Sequence, residues 1–341
     1  MDNYLISRRR ALLAGAAATA AGGAFLSFGA SAQGRTQLNM QLGWILGGNQ
    51  LGEVCAKHTG LYEQEGLDFH FQAGGPNIDG VAIVASGRYE VGQVSSSPSI
   101  MLAVSQDIPI KCFAVGAQQH PYAFFSLAKN PIREPKDLVG KKVGIQATGV
   151  ILLRALLAKN NIPEKDVTII PIGAEMTPLM TGQVDTVTGW ITNTSAMKVL
   201  GPDPVVMRLW DTGVQLYALP YYATTQTLQT RSAELAKFLR ATGKGWEYAY
   251  ANQEKAVDYL IQEFSNLVRP DEIEAAKVML TFSFNANTKS NGWGAMEPKV
   301  WQDQIDLYAK LGQFSNRVPK VDEVMTLDIL KATGDARPRI G

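Results

Sequence analysis

The sequence holds only two cysteines and three histidines in 341 residues, and each scarcity removes a class of function. Cys55 and Cys112 have no CxxC neighbour, so neither a disulfide framework nor thiol redox chemistry is supported. Two buried free thiols are the simpler reading, and pairing between them stays open. Three scattered histidines and two isolated cysteines do not make a zinc site without unusual help from carboxylates. The motifs HExxH, GxSxG, GxxxxGK[ST] and GxGxxG are all missing, so no catalytic residue, metal site or cofactor is expected. Charge of either sign is also scarce. Lys and Arg number 32 against 31 Asp and Glu, which leaves no basic excess for nucleic acid or an acidic membrane surface. Disorder is excluded by the opposite abundance, 46% hydrophobic residues at nearly zero net charge. A mean hydropathy near zero excludes a polytopic membrane protein. The length favours two cores over one.

The N-terminus is a separate matter. Arg8-Arg9-Arg10 follow Ser7, an Ala/Gly/Leu-rich stretch runs from Ala11 to Gly29, and Ala30-Ser31-Ala32 closes it. A charged region, an apolar region and an A-x-A site make residues 1–32 a cleavable signal peptide, with a membrane anchor as the alternative. The arginine pair is similar to a twin-arginine signal, although Ala11 stands where Phe is common, so the general secretory route stays open. Loss of the leader removes Arg8, Arg9, Arg10 and Asp2 and leaves 29 basic and 30 acidic residues. An exported, periplasmic, nearly neutral protein beginning at Gln33 is expected.

The remaining chain alternates two periodicities. Strands are expected at 37–44, 67–72, 90–95 and 108–115, with helices at 50–64, 78–86 and 96–105 between them. That βαβαβαβ order argues a parallel sheet covered by helices. A second series follows, with strands at 123–129, 142–146, 167–172, 186–190, 205–210 and 221–225 and helices at 150–160 and 176–181. From Ser232 the chain turns to long helices at 232–252, 253–264, 271–281, 298–311 and 325–331, with no strands of their own. They must cover an existing sheet, most simply the first. The expected lobes are therefore 36–118 plus 224–341, and 123–218, with crossings near 118–123 and 218–224.

Several motifs resemble a known family. Leu42-Gly43-Trp44, the run Cys55–Asp68 containing Gly60-Leu61-Tyr62 and Glu65-Gly66-Leu67-Asp68, Gly74-Gly75-Pro76-Asn77, Val84–Gly92 and Asp137–Gly144 fit it along the whole mature chain. The chain resembles the solute-binding proteins of ABC importers in the nitrate/sulfonate/taurine and thiamine-pyrimidine group. The resemblance implies an α/β, two-lobed periplasmic binding protein fold of type II, with two crossings and a helical C-terminal cover. It implies a monomer that closes over a small molecule and delivers it to an inner-membrane permease and ATPase, with no nucleic-acid partner. The family includes eukaryotic thiamine-pyrimidine synthases, which consume a protein His and hold a cofactor on Lys. The matching stretch here, Gln93-Val94-Ser95-Ser96-Ser97-Pro98, offers neither.

Candidate ligand residues fall where open α/β sheets bind ligands, after the carboxyl ends of strands. Trp44 can stack on a planar ligand or pack in the core, and Asn49 and Gln50 follow it in a glycine loop. Asn77 can cap the next helix or hydrogen-bond a solute, and Ser95 and Ser96 stand in an equivalent place. Thr148, Trp190 and Asn193 repeat the pattern in the second series. Gln118, Gln119, His120 and Tyr122 lie at the first crossing, and Tyr217, Tyr221 and Tyr222 at the second, where tyrosines are equally suited to packing between lobes. A lone His120 is more often structural. Uncharged donors beside aromatic walls suit a small planar (hetero)aromatic compound such as a thiamine-type pyrimidine or a flavin-like ring. No acidic partner for a ring amine is evident after Gly189. A sulfonate- or nitrate-type anion, a ligand-sensing role beside a membrane kinase, and an exported enzyme using the same cleft are the alternatives.

Overall fold

A computed structural model describes residues 34–75 and 78–341, so the leader reading and Asn77 lie outside the described residues. Among the described residues ten strands form two five-stranded sheets. The first has the order β2-β1-β3-β10-β4, built from β1 (Thr36–Gln41), β2 (Leu67–Gln72), β3 (Val91–Gln93), β4 (Ile110–Ala117) and β10 (Ala218–Thr224). The second has the order β7-β6-β8-β5-β9, from β5 (Tyr122–Ser126), β6 (Lys142–Ile145), β7 (Thr168–Pro171), β8 (Thr186–Trp190) and β9 (Val205–Arg208). The edge strand β2 alternates as a half-covered strand should, Leu67 and Phe69 inward, Asp68 and His70 outward. β10 is buried at every residue, as a central strand must be.

Neither sheet is all-parallel, which corrects the expectation from the strand–helix alternation. In the first sheet β10 runs antiparallel to both β3 and β4; in the second β5 runs antiparallel to both β8 and β9. Both exceptions are the first strand after a crossing. The chain leaves β4, crosses through 118–121 and enters the second sheet as β5; it returns after β9 and enters the first sheet as β10. A strand arriving from the opposite lobe enters from the cleft side, so it runs against its neighbours. Tyr221 and Tyr222 therefore do not lie at the crossing but inside β10, fully buried. Pro220 is tolerated in this central strand because the ladder is irregular there: Leu219 holds φ 52° and the register shifts between Tyr221 and Tyr222.

The expected helix at 50–64 is broken into Leu51–His58 and Leu61–Gln64, because Gly60 takes φ 72° and ends the first helix. The expected helix at 325–331 is interrupted too. Met325 bridges to Cys112 at the sheet edge and Thr326 N donates to Cys112 O at 2.9 Å, so the helices are Val321–Val324 and Asp328–Ala332. The tail helix Ser232–Ala251 packs on Leu51–His58 so closely that a Cβ at Gly245 would fall 2.0 Å from Gly52 O. Trp246 and Trp293 stack beneath this contact at 6.0 Å. Residues Arg35–Gly341 form one compact unit. Cys55 and Cys112 are free and buried, and burial pushes the Cys55 thiol up to about 12, so both are inert packing groups.

Glu53 is the most exacting polar group in this core. Its Oε1 accepts from Tyr221 Oη at 2.6 Å and Gln93 Nε2 at 3.1 Å, while Oε2 has no partner among the described residues. Burial raises its carboxyl from 4.5 to about 7, against the opposing effect of those hydrogen bonds. The folded chain thus keeps a proton that the unfolded chain releases. Stability should be highest below pH 4.5, fall as pH rises to about 7, and level off above, an effect on the order of 3 kcal/mol. Chemical denaturation of wild type and Glu53→Gln across that range checks this. The variant should lose that slope, and an identical slope in both proteins would remove Glu53 as its source.

Candidate functional site

Loops from both sheets converge on one narrow slot, with a free cavity of only about 20 Å³ between the closed walls. The first sheet supplies Trp44 after β1 and Ser95 and Ser96 after β3; the first crossing supplies His120 and leads into Tyr122. The second sheet supplies Thr148 after β6, and Trp190 and Asn193 at the end of β8. These strand ends all face the gap between the sheets, which is why residues about 150 positions apart meet. Gly149 makes room in that wall: a Cβ there would fall 2.1 Å from Tyr122 Oη. Among the described residues no Lys, Arg, Asp or Glu lines the slot.

Four buried polar atoms in this wall have no well-formed hydrogen bond among the described residues: Trp44 Nε1 and Ser95 Oγ, and also His120 Nε2 and Tyr122 Oη, which have only the weak attraction of the Ser95 backbone and the Thr188 side chain. Buried polar atoms are almost always paired, so a cluster of four marks a place built for an external partner. His120 is the most informative. Its Nδ1 accepts from Tyr122 N at 3.2 Å, which puts the ring proton on Nε2. Burial lowers its pKa from 6.5 to about 3, so the ring is neutral and presents a donor, not a charge. Trp190 and Tyr122 hold it edge-on, with ring centroids 5.2 and 5.9 Å away. Sequence reasoning placed this histidine at the first crossing, within reach of a ligand, but weighed a structural role above a catalytic one and left it out of the candidate set.

Seven residues expected at the site line the slot: Trp44, Ser95, Ser96, Tyr122, Thr148, Trp190 and Asn193. Asn49 instead faces the adjoining space, where Thr192 Oγ1 donates to its Oδ1 at 3.2 Å. Gln50 is used locally, since its Oε1 accepts from Gly47 N at 3.0 Å and fastens the glycine loop. Tyr217 packs near Trp301 under the tail helices, and its Oη accepts from Glu297 N at 3.1 Å. Gln119 is half-buried outside the slot lining. The helix cap sought at Asn77 is Asp79, whose Oδ1 accepts from Ala82 N at 3.0 Å because the helix starts at Gly80.

The mouth of the cleft is tied shut by the tail. Asp271, near the start of the helix Arg269–Ser283, receives Ser195 Oγ at 2.6 Å and pairs with Lys198, while its carbonyl oxygen accepts from Thr194 Oγ1 at 2.7 Å. All three partners belong to the segment after β8 in the second sheet. Lys198 and then Ser195 hold the Asp271 carboxyl below its ordinary value.

The description of the NMT1/THI5-like family matches residues 48–256. The chain belongs to that family. It is 26% identical over 260 residues to the formylaminopyrimidine-binding protein of Halalkalibacterium halodurans, covering 73% of this chain and 78% of that one. It is 26% identical over 258 residues to the riboflavin-binding protein RibY of Chloroflexus aurantiacus, covering 72% of each. Among solved structures, the alkanesulfonate-binding protein SsuA from Xanthomonas axonopodis pv. citri bound to MOPS superimposes with a TM-score of 0.65 at 17% identity, over 85% of this chain and 99% of that one. The fold is that of the two-lobed periplasmic binding proteins. No helix of the described residues is long and apolar enough to cross a membrane.

The Asp271 contacts make a checkable latch. Asp271→Asn should open the lobes at neutral pH, seen as a larger radius of gyration by small-angle scattering. Because the folded-state pKa is depressed, wild type should keep the contact above pH 3.8 and lose it only as pH falls through a lower value. A variant with the wild-type scattering profile at pH 7 would show that the latch does not hold the cleft.

Proposed function

We propose that this chain is the periplasmic solute-binding component of an ABC importer and that it holds a small planar (hetero)aromatic compound in the slot. The carrying observation is the set of unsatisfied, uncharged groups on aromatic walls. Trp44 Nε1 and His120 Nε2 are donors only, and the Ser95 and Tyr122 hydroxyls serve either way, so the matching ligand presents ring nitrogens or carbonyls along its edge. Trp44 and Trp190 supply ring faces. The absence of Lys and Arg from the described lining disfavours a sulfonate or nitrate, which needs concentrated positive charge or many donors. Relatives named for a formylaminopyrimidine and for riboflavin support the same ligand class.

Binding is reversible and without turnover in this reading. The wall offers no activated nucleophile, and its one histidine is held neutral with Nδ1 already engaged. Residues 36–117 plus 218–341 and residues 122–208 act as the two lobes, hinged at the crossings that join β4 to β5 and β9 to β10, and residues 1–32 direct export to the periplasm. A permease and an ATPase complete the importer.

A thermal-shift screen over pyrimidines, flavins, aromatic acids, taurine and nitrate tests the ligand class, because binding to the folded state raises Tm. Ring compounds should give the shifts, and they should be recovered chemically unchanged. Replacing the stacking Trp44→Ala should cost about 1–3 kcal/mol of affinity, roughly a five- to 150-fold weaker Kd. Shifts confined to taurine or nitrate would refute the ring reading, and conversion of excess ligand would make the chain an enzyme.

A further inference from the structure

Ala174 and Asn193 line both the slot and an adjoining second compartment of about 260 Å³. Its walls are residues 45–49 and 266–268 on the first lobe and 192–196 on the second, so it forms only where the lobes meet. Ile45 and Val268 give it an apolar outer rim. Among its described lining residues Glu272 is the only titratable one.

Glu272 is 6% exposed, and its Oε2 has no hydrogen-bond partner among the described residues. No cation is free to neutralise it from within the latch, because the Lys198 ammonium is engaged by Asp271. A carboxylate in the first turn of a helix is favoured by the exposed N–H groups there. That accounts for an acid near the helix start, but not for one buried with an unpaired oxygen, which costs free energy unless a donor arrives. The backbone of Gly47 and Gly48 passes over the carboxylate, and a Cβ at Gly48 would lie 3.6 Å from Oε2. Burial raises the carboxyl above its ordinary value, the Gly48 backbone N–H opposes that rise, and neighbouring Asp271 adds to it. The compartment thus combines an apolar rim, uncharged polar walls and a single buried acceptor.

We propose that this compartment is a second subsite, taking a substituent of the bound ring compound, and that Glu272 accepts a hydrogen bond there from a cationic amine or amidine. The inference rests on the ring-binding reading and adds to it a preference that the slot alone does not provide. The slot recognises an acceptor edge; the second compartment recognises a donor attached to it. A ligand satisfying both carries ring acceptors on one side and a protonated nitrogen on a short arm.

Calorimetric titration with two probes tests this: an aminomethyl-substituted pyrimidine and the methyl-substituted pyrimidine that lacks only the amine nitrogen. Wild type should prefer the amine by about 10- to 150-fold, the range for a hydrogen bond to a charged group. Glu272→Gln should erase that preference, so that the two probes bind with equal affinity. If Glu272→Gln does not fold, Glu272→Asp, which keeps the charge but withdraws it by one methylene, should reduce the preference, and the wild-type comparison stands without either variant. Equal binding of both probes by wild type, or a preference that survives in Glu272→Gln, overturns the subsite and leaves the ring reading intact. Binding of neither probe, nor of any other ring compound, overturns the ring reading and this inference with it.

Discussion

The structure depends on one constraint: each sheet is completed by a strand that arrives from the other lobe. β5 and β10 lie between two neighbours of their own sheet, so both crossings are anchored in hydrogen-bond ladders immediately beyond the gap. This fixes the distance between the lobes and makes the first crossing the floor of the cleft. His120 and Tyr122 owe their places to it, two residues before the start of β5 and the first residue within it. The strand ends that carry Trp44, Ser95, Thr148 and Trp190 then face one another across that floor.

Polar burial is handled differently on the two sides of the first sheet's carboxyl end. Beneath the cleft, Glu53 is held by Tyr221 and Gln93, so part of its desolvation is offset by hydrogen bonds inside the protein and the remainder keeps its carboxyl raised. In the slot wall, by contrast, four polar atoms are withdrawn from water with no well-formed internal hydrogen bond. An unsatisfied buried group costs about 1–3 kcal/mol, and a wall of uncharged groups keeps that cost bearable where unpaired charges would not. The latch at Asp271 belongs to the tail, which lets helices from the last third of the chain act on the cleft mouth.

Much of the arrangement was legible because α/β chains advertise their strand ends. Trp44, Ser95, Ser96, Thr148, Trp190 and Asn193 could be picked out since each follows an apolar run and precedes a helix signal. Gln50 and Tyr217 satisfy the same rule yet are occupied elsewhere, Gln50 by the Gly47 amide and Tyr217 by the Glu297 amide. Such occupation depends on which backbone group happens to stand within 3 Å or so, and no spacing rule reports it. Asp271 and Glu272 were read only as part of a covering helix, because nothing local marks a helix N-terminus as facing a cleft assembled from residues more than 70 positions earlier.

What the sequence determined by itself is the doubled strand–helix rhythm, the helical tail and the uncharged, aromatic character of the loops, since all three follow from local periodicity and composition. What only the tertiary structure decided is direction and partnership. The antiparallel entry of β5 and β10 follows from the side on which a crossing strand arrives, which is a global property of the chain path. The tautomer of His120, the raised carboxyl of Glu53 and the unpaired oxygen of Glu272 depend on burial and on neighbours contributed by distant segments. Electrostatic environment is set by those neighbours and by the exclusion of water, and neither exists until the lobes have folded and met.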